Sequence, residues 1–274
     1  MEAMSLLQAV LLGIVQGIAE FLPISSSGHL VILQRVFDRL IPGTDAPEHL
    51  LMNVTLHVGT LGSILVVYRN DLRRLLYRPR LCLQVIVATI PAAVVGLMLK
   101  SYLEEAFESP VVVACGWLMT AAFLLTAQRF ERDEIPIDSM TFRQSLVVGV
   151  FQALALVPGL SRSGSTISAG LYTGLTRSAA AEFSFLIAIP VIAGAAVLEG
   201  RPLWQAWIPG FGGTAAAVPP VSLLPLGVGM LTAFVVGIAA LRGLLAMIAR
   251  RRLHWFAWYC VLAAVATLVG YGLS

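Results

Sequence analysis

The chain is short of charge. Of its 274 residues only 12% are Asp, Glu, Lys or Arg, against 58% hydrophobic. That is too little charge for a soluble domain and is the balance of a polytopic membrane protein. Cysteine is scarce too. Cys82, Cys115 and Cys260 lie far apart in apolar runs, which excludes a disulfide framework or a thiolate metal set and makes them small core residues. His49, His57 and His254 are likewise scattered. No basic segment precedes the first apolar run, where Glu2 stands instead, so no cleavable leader is expected. No coiled coil, low-complexity tail or soluble domain is visible, and a single membrane domain is expected over residues 1–274.

Against that background the stretch EFLPISSSGH, Glu20 to His29, stands out. Each polar group in lipid costs several kcal/mol unless it is paired or wet. Six apolar runs reach the roughly 17–25 residues that a bilayer crossing needs: Leu50–Tyr68, Leu81–Leu103, Pro110–Gln128, Glu182–Leu198, Ser222–Leu241 and Trp255–Leu273. Ser5–Phe37 and Arg143–Leu175 are apolar but broken near their middles. Pro23 and Pro158 would end the first half-helix of each, because proline removes a donor and restricts the residue before it. Both segments read as re-entrant helix–loop–helix pairs.

The broken segments match each other. At an offset of 136, Gly13 falls on Gly149, Gln16 on Gln152, Ala19 on Ala155, Ser25 on Ser161, Ser27 on Ser163 and Gly28 on Gly164. A weaker echo, AAVVGL at Ala92 and AFVVGI at Ala233, has an offset of 141, as it would if PGFGGTAAAVPP were an insertion. The chain is then two repeats, about 1–135 and 136–274, each a re-entrant pair plus three spanning helices. Three crossings is an odd number, so the second repeat is expected upside down, with the two tips meeting near the midplane. The expected fold class is therefore an all-α integral membrane protein with an inverted-topology repeat. Charge supports the same topology. If the loop after the first spanning helix is cytoplasmic, 13 of the 18 basic residues fall inside, four outside (Arg35, Arg39, Lys100 and Arg201) and one, Arg162, in the second tip. Trp204, Trp207, Trp255 and Trp258 lie near helix ends as interfacial anchors.

The tips carry the chemistry. Ser/Gly turns that open a helix present unpaired N–H groups and the positive end of the dipole, which favours an anion. Hydroxyls add donors, and Arg162 adds a planar fork suited to phosphate oxygens. The repeats diverge where it matters: at the same offset Glu20 is matched by Leu156, Ser26 by Arg162 and His29 by Ser165. One tip keeps carboxylate, hydroxyl and imidazole; the other supplies the cation. Gln16 and Glu20 are spaced i, i+4 on one helix face. With phosphate oxygens they would suit Mg²⁺ or Ca²⁺; alternatively Glu20 pairs directly with Arg162 and is structural. His29 follows Ser26 by three residues and is a candidate for its base; the plainer alternative is a histidine that only ties the tip together. Ser168, Ser178 and Ser184 read as small residues that let helices pack closely.

QGIAEFLPISSSGH and PGLSRSGST resemble the two signature motifs of the bacterial undecaprenyl-diphosphate phosphatases of the bacitracin-resistance type, and the resemblance covers the whole chain. It implies removal of the terminal phosphate of undecaprenyl diphosphate to give the monophosphate carrier of peptidoglycan synthesis. It further implies a divalent cation and an inner-membrane site opening to the periplasm. Carried over residue by residue, Gln16 and Glu20 are the acidic and metal motif and Ser26 the nucleophile. His29 is the motif histidine and Arg162 the diphosphate-binding arginine, with Ser25, Ser27, Gly28, Ser161, Ser163 and Thr166 lining the substrate. Asn53 departs from the pattern, where relatives often carry an acid. The expected partners are the lipid substrate and the bilayer, with a homodimer as one arrangement and no nucleic acid. The rival readings are an inverted-repeat transporter or flippase of a phosphorylated lipid or anion, and an intramembrane serine protease. The asymmetric Ser26/His29/Arg162 set argues against the first, and Glu20 and Arg162 have no place in the second.

Overall fold

A computed structural model describes residues 5–40, 46–200 and 223–272. Among these, every regular element is helical apart from one parallel bridge, Ile135 to Leu175. The first half-helix, α1 (Leu6–Ala19), has 14 residues, about 21 Å at 1.5 Å per residue, too short for a hydrocarbon core of about 30 Å. It stops four residues before Pro23, and α2 (Ser26–Leu40) begins after the turn. Then come α3 (Ala46–Val67), α4 (Arg69–Leu75), α5 (Pro79–Met98), α6 (Lys100–Phe107) and α7 (Pro110–Phe130). The second half repeats the opening. Its α8 (Phe142–Leu154) stops four residues before Pro158, and α9 (Arg162–Tyr172) follows the tip. The chain continues with α10 (Arg177–Glu199), α11 (Leu223–Ala249) and α12 (His254–Gly272).

Six of these helices, α3, α5, α7, α10, α11 and α12, are long and apolar enough to cross a membrane, and the protein is a multi-pass membrane protein. The boundaries differ from the expected ones in three places. The second span ends at Met98, not Leu103: Leu99 leaves helical geometry (φ −109°, ψ 20°), and α6 is a separate helix carrying Lys100, Glu104 and Glu105, charges too costly to bury in lipid. The fourth span begins at Arg177, where Thr176 caps it by accepting from the Ala179 N–H. The fifth runs on to Ala249, eight residues past the expected end. The segment PGFGGTAAAVPP and residues Arg201, Trp204 and Trp207 lie outside the described residues. Trp255 and Trp258 are exposed on the outer face of α12, as anchors would be.

The correspondence between halves extends to local geometry. Both α1 and α8 open with a capping box, Ser5 with Gln8 and Thr141 with Gln144, two residue pairs at the same offset of 136. Packing follows suit: α1 lies on α11 and α8 lies on α5. Gly13 sits so close to α11 that an added Cβ would stand 2.7 Å from the Gly229 carbonyl oxygen, and at Gly149 it would stand 2.5 Å from that of Ala88. The offsets of 136 and 141 carry one contact onto the other. Helices α7 and α12 pack together, as do α3 and α10. The tips meet in the centre: Gly28 could carry no side chain without approaching Gly159 Cα and the Trp117 ring, each at 3.1 Å. Gly159 itself has φ +84° and lies against the Val113 carbonyl, where only glycine fits.

Candidate active site

Glu20 is the hub. It caps α1, its N–H donating to the Gln16 carbonyl at 2.9 Å, and is 7% exposed. One carboxylate oxygen, Oε1, accepts from Arg162 Nη2 at 2.9 Å. The other, Oε2, accepts from Ser26 Oγ at 2.7 Å and from Gln16 Nε2 at 3.1 Å. The two tips thus share one carboxylate. Arg162, the first residue of α9, is held from behind: Nη1 donates to the Ser184 carbonyl at 3.3 Å and its guanidinium lies 5.8 Å from the Phe185 ring centre. Ser184, expected only to ease packing, is part of this seat. The Ser163 hydroxyl donates across to the Leu22 carbonyl at 3.3 Å, a second tie between tips.

The remaining expected residues divide. Ser25 and Ser161 are helix caps, their hydroxyls accepting from the N–H of Gly28 (3.2 Å) and Gly164 (3.1 Å) and lying 3.2 Å from those of Ser27 and Ser163. Those two glycine N–H groups are therefore already engaged. Thr166 is buried, donating to the Arg162 carbonyl at 2.8 Å and paired with the Ser184 hydroxyl at 2.6 Å, so it braces Arg162. Ser26, Ser27, His29 and Arg162 are partly open. His29 is not brought to Ser26. Its Nδ1 lies 2.7 Å from the Ser25 carbonyl and its Nε2 2.6 Å from Tyr259 Oη. The Ser26 hydroxyl instead points at Glu20, which is the base within reach in this geometry.

Both alternatives for Glu20 meet evidence here. It pairs directly with Arg162, yet Gln16 Oε1 beside it is buried without a hydrogen-bond partner. An orphaned oxygen next to a carboxylate fits a hard divalent cation that takes its other ligands from phosphate. Among the described residues no group of three or more His, Cys, Asp or Glu gathers, so water and substrate would have to complete the shell.

His57, treated as scattered in the sequence, has Nε2 3.7 Å from Glu20 Oε2, with Nδ1 on the Asn53 carbonyl at 2.8 Å. Its place inside an expected span was the available signal, since ionisable groups in spans face the protein interior. Asn53 Oδ1 in turn accepts from Gln34 Nε2 at 3.0 Å, a neutral pair. Tyr259 and Trp117 had no comparable signal.

Comparison with known proteins shows the family of the chain. The family model described as bacitracin resistance protein BacA matches residues 9–266. A protein of Rhodopirellula baltica named undecaprenyl-diphosphatase is 40% identical over 265 residues, 96% of this chain and 97% of its own. Proteins of the same name from Carboxydothermus hydrogenoformans and Korarchaeum cryptofilum are 37% and 38% identical, each over 97% of this chain. The signature residues that build the shared carboxylate, the serine tip and the arginine fork lie within a match running almost end to end, and the chain belongs to the bacitracin resistance protein BacA family.

Proposed function

We propose that the protein hydrolyses undecaprenyl diphosphate to undecaprenyl phosphate and inorganic phosphate, recycling the lipid carrier for peptidoglycan synthesis and thereby conferring bacitracin resistance. The observation that carries this reading is the Ser26 hydroxyl held at 2.7 Å on a carboxylate that is itself paired with Arg162. The diphosphate head draws the Arg162 fork onto its oxygens while the prenyl tail stays in lipid. Ser26 Oγ attacks the terminal phosphorus, its proton passes to Glu20 Oε2, and the bond to the bridging oxygen breaks to release undecaprenyl phosphate. Water then attacks the phosphorus of the phosphoserine, the bond to Oγ breaks to release inorganic phosphate, and Glu20 returns its proton to Ser26 Oγ. Catalysis of this kind is mostly positioning and charge stabilisation. A divalent ion held by Gln16 Oε1 and Glu20 would neutralise charge on the phosphate oxygens. Purified protein is expected to release phosphate from undecaprenyl diphosphate, and Ser26→Ala to fall by at least about 100-fold. EDTA is expected to abolish release and Mg²⁺ or Ca²⁺ to restore it. Wild-type turnover in Ser26→Ala would remove the serine from the chemistry.

We infer that the site lies in the bacterial inner membrane, open to the periplasm, within an inverted repeat. The exchanged helix contacts and the inward bias of basic residues support this. Helices α5 and α11 are counterparts, so their C-terminal ends should emerge on opposite sides. In a cysteine-free background, a membrane-impermeant thiol reagent applied to cells is expected to label Lys100→Cys and to spare Arg250→Cys. Labelling of both positions from outside would sink the inversion.

A further inference from the structure

The two tips share their capping serines but not their backbones. Ser161 has an ordinary φ of −68°, whereas Ser25 has φ +69°, in the left-handed region that a residue with a Cβ rarely adopts. The difference coincides with a difference four residues on, where the first tip has His29 and the second has Ser165. The Ser165 hydroxyl is buried without a hydrogen-bond partner, so nothing in the second tip resembles the bond from His29 Nδ1 to the Ser25 carbonyl at 2.7 Å.

That bond fixes the imidazole. A carbonyl oxygen can only accept, so Nδ1 carries the proton, and in the neutral ring Nε2 is left as the acceptor. Tyr259 Oη lies 2.6 Å from Nε2 and therefore donates to it. The rings stack, with centres 5.6 Å apart and planes 14° apart, and Trp117 presses on His29 edge to face at 5.2 Å. The next residue of α12, Cys260, contacts the Pro23 carbonyl at 3.6 Å, and Trp117 Nε1 donates to that of Ile24 at 2.7 Å. The backbone leading into Ser26 is thus gripped from one side by α7 and α12.

We propose that Tyr259 is a positioning residue of this active site: through His29 it holds the Ser25 peptide in its left-handed setting, and that setting aims the Ser26 hydroxyl at Glu20. The hydroxyl of Tyr259 touches no reacting atom. By donating to Nε2 it completes the hydrogen bonding of the tautomer that the Ser25 carbonyl requires and holds the ring in place, and the peptide so held fixes where Ser26 begins. His29 is a brace for the nucleophile, and the last helix of the chain completes the brace. The activity arm of the test rests on the phosphatase reading above; the spectroscopic arm does not.

Tyr259→Phe keeps the stacked ring and removes only the hydroxyl. It is expected to lower kcat about tenfold, the equivalent of one hydrogen bond, with KM changed less than about twofold, as expected when uniform substrate binding is untouched. In a His29→Ala background the same substitution should change nothing further, because its effect runs through the imidazole. An unchanged kcat in Tyr259→Phe, or an equal fall in the His29→Ala background, would overturn the proposal. Ring ¹⁵N spectra of the four-histidine protein provide the independent arm. His29 should be the Nδ1–H tautomer in the wild type, and its Nε2 signal should shift in Tyr259→Phe, which removes the donor to that nitrogen. If the wild type releases no phosphate, the proposed activity fails, and the spectra alone decide the brace: an Nε2–H tautomer in the wild type, or His29 signals unmoved by Tyr259→Phe, would overturn it. Should the variant not fold, the wild-type tautomer decides.

Discussion

Arg162→Lys is expected to reduce kcat/KM for phosphate release by about 100-fold or more, although the charge is kept. Arg162 does two things at once. One arm of its guanidinium meets Glu20 at 2.9 Å while the other meets the Ser184 carbonyl at 3.3 Å, with its plane near the Phe185 ring. An ammonium is a point donor on a flexible stem and cannot span both directions while presenting a flat pair of donors to phosphate. The folded protein should survive the change, because Glu20 keeps a cation beside it. Arg162→Ala is the contrasting case. It leaves a buried carboxylate unpaired, a loss of about 3–5 kcal/mol, and its thermal midpoint in detergent should fall clearly below that of Arg162→Lys. Near wild-type turnover in Arg162→Lys would show that only a point charge is needed there.

Glu20→Gln is expected to lower the rate by roughly 100-fold or more and to raise the Mg²⁺ or Ca²⁺ concentration needed for half-maximal activity. A diphosphate ester carries about two to three negative charges near neutral pH. A bare carboxylate beside it in a poorly solvated site would weaken binding, unless a cation lies between them. With an ion in place, the carboxylate and the orphaned Gln16 Oε1 strengthen binding by holding it. The two roles of Glu20 therefore give opposite signs. If Glu20 only pairs with Arg162, the amide should leave the ion dependence unchanged, and the freed fork should tighten on the diphosphate. An unchanged metal titration would take Glu20 and Gln16 out of the metal site. An unchanged rate would remove Glu20 as the base for Ser26.

The spans, the broken segments and the reactive residue types were all present in the sequence. Apolar runs declare themselves by length, because lipid tolerates little charge over a crossing. Pro23 and Pro158 declare the two breaks, because a helix cannot pass the residue before a proline without cost. The 136-residue offset also relates the paired capping boxes at Ser5 and Thr141. The end of α5 departs from the apolar pattern because SYL after Lys100 prolongs the apolar run, while the chain breaks at Leu99 to carry Lys100, Glu104 and Glu105 into a separate helix.

Which polar group meets which was decided by the tertiary structure alone. Spacing put His29 within reach of Ser26, but a hydrogen bond depends on direction. The left-handed Ser25 turns that histidine toward its own tip's carbonyl and toward Tyr259, 230 residues away in the chain. The same holds for Arg162, whose partners are Glu20 at the end of α1 and Ser184 inside α10, and for His57, delivered to Glu20 by a spanning helix. Sequence determined what had to be buried and where the chain had to break, because those are costs each residue carries alone. The packing of one tip against the other determined the site, because a buried polar group takes the partner that the fold sets within about 3 Å, and no local pattern encodes that distance.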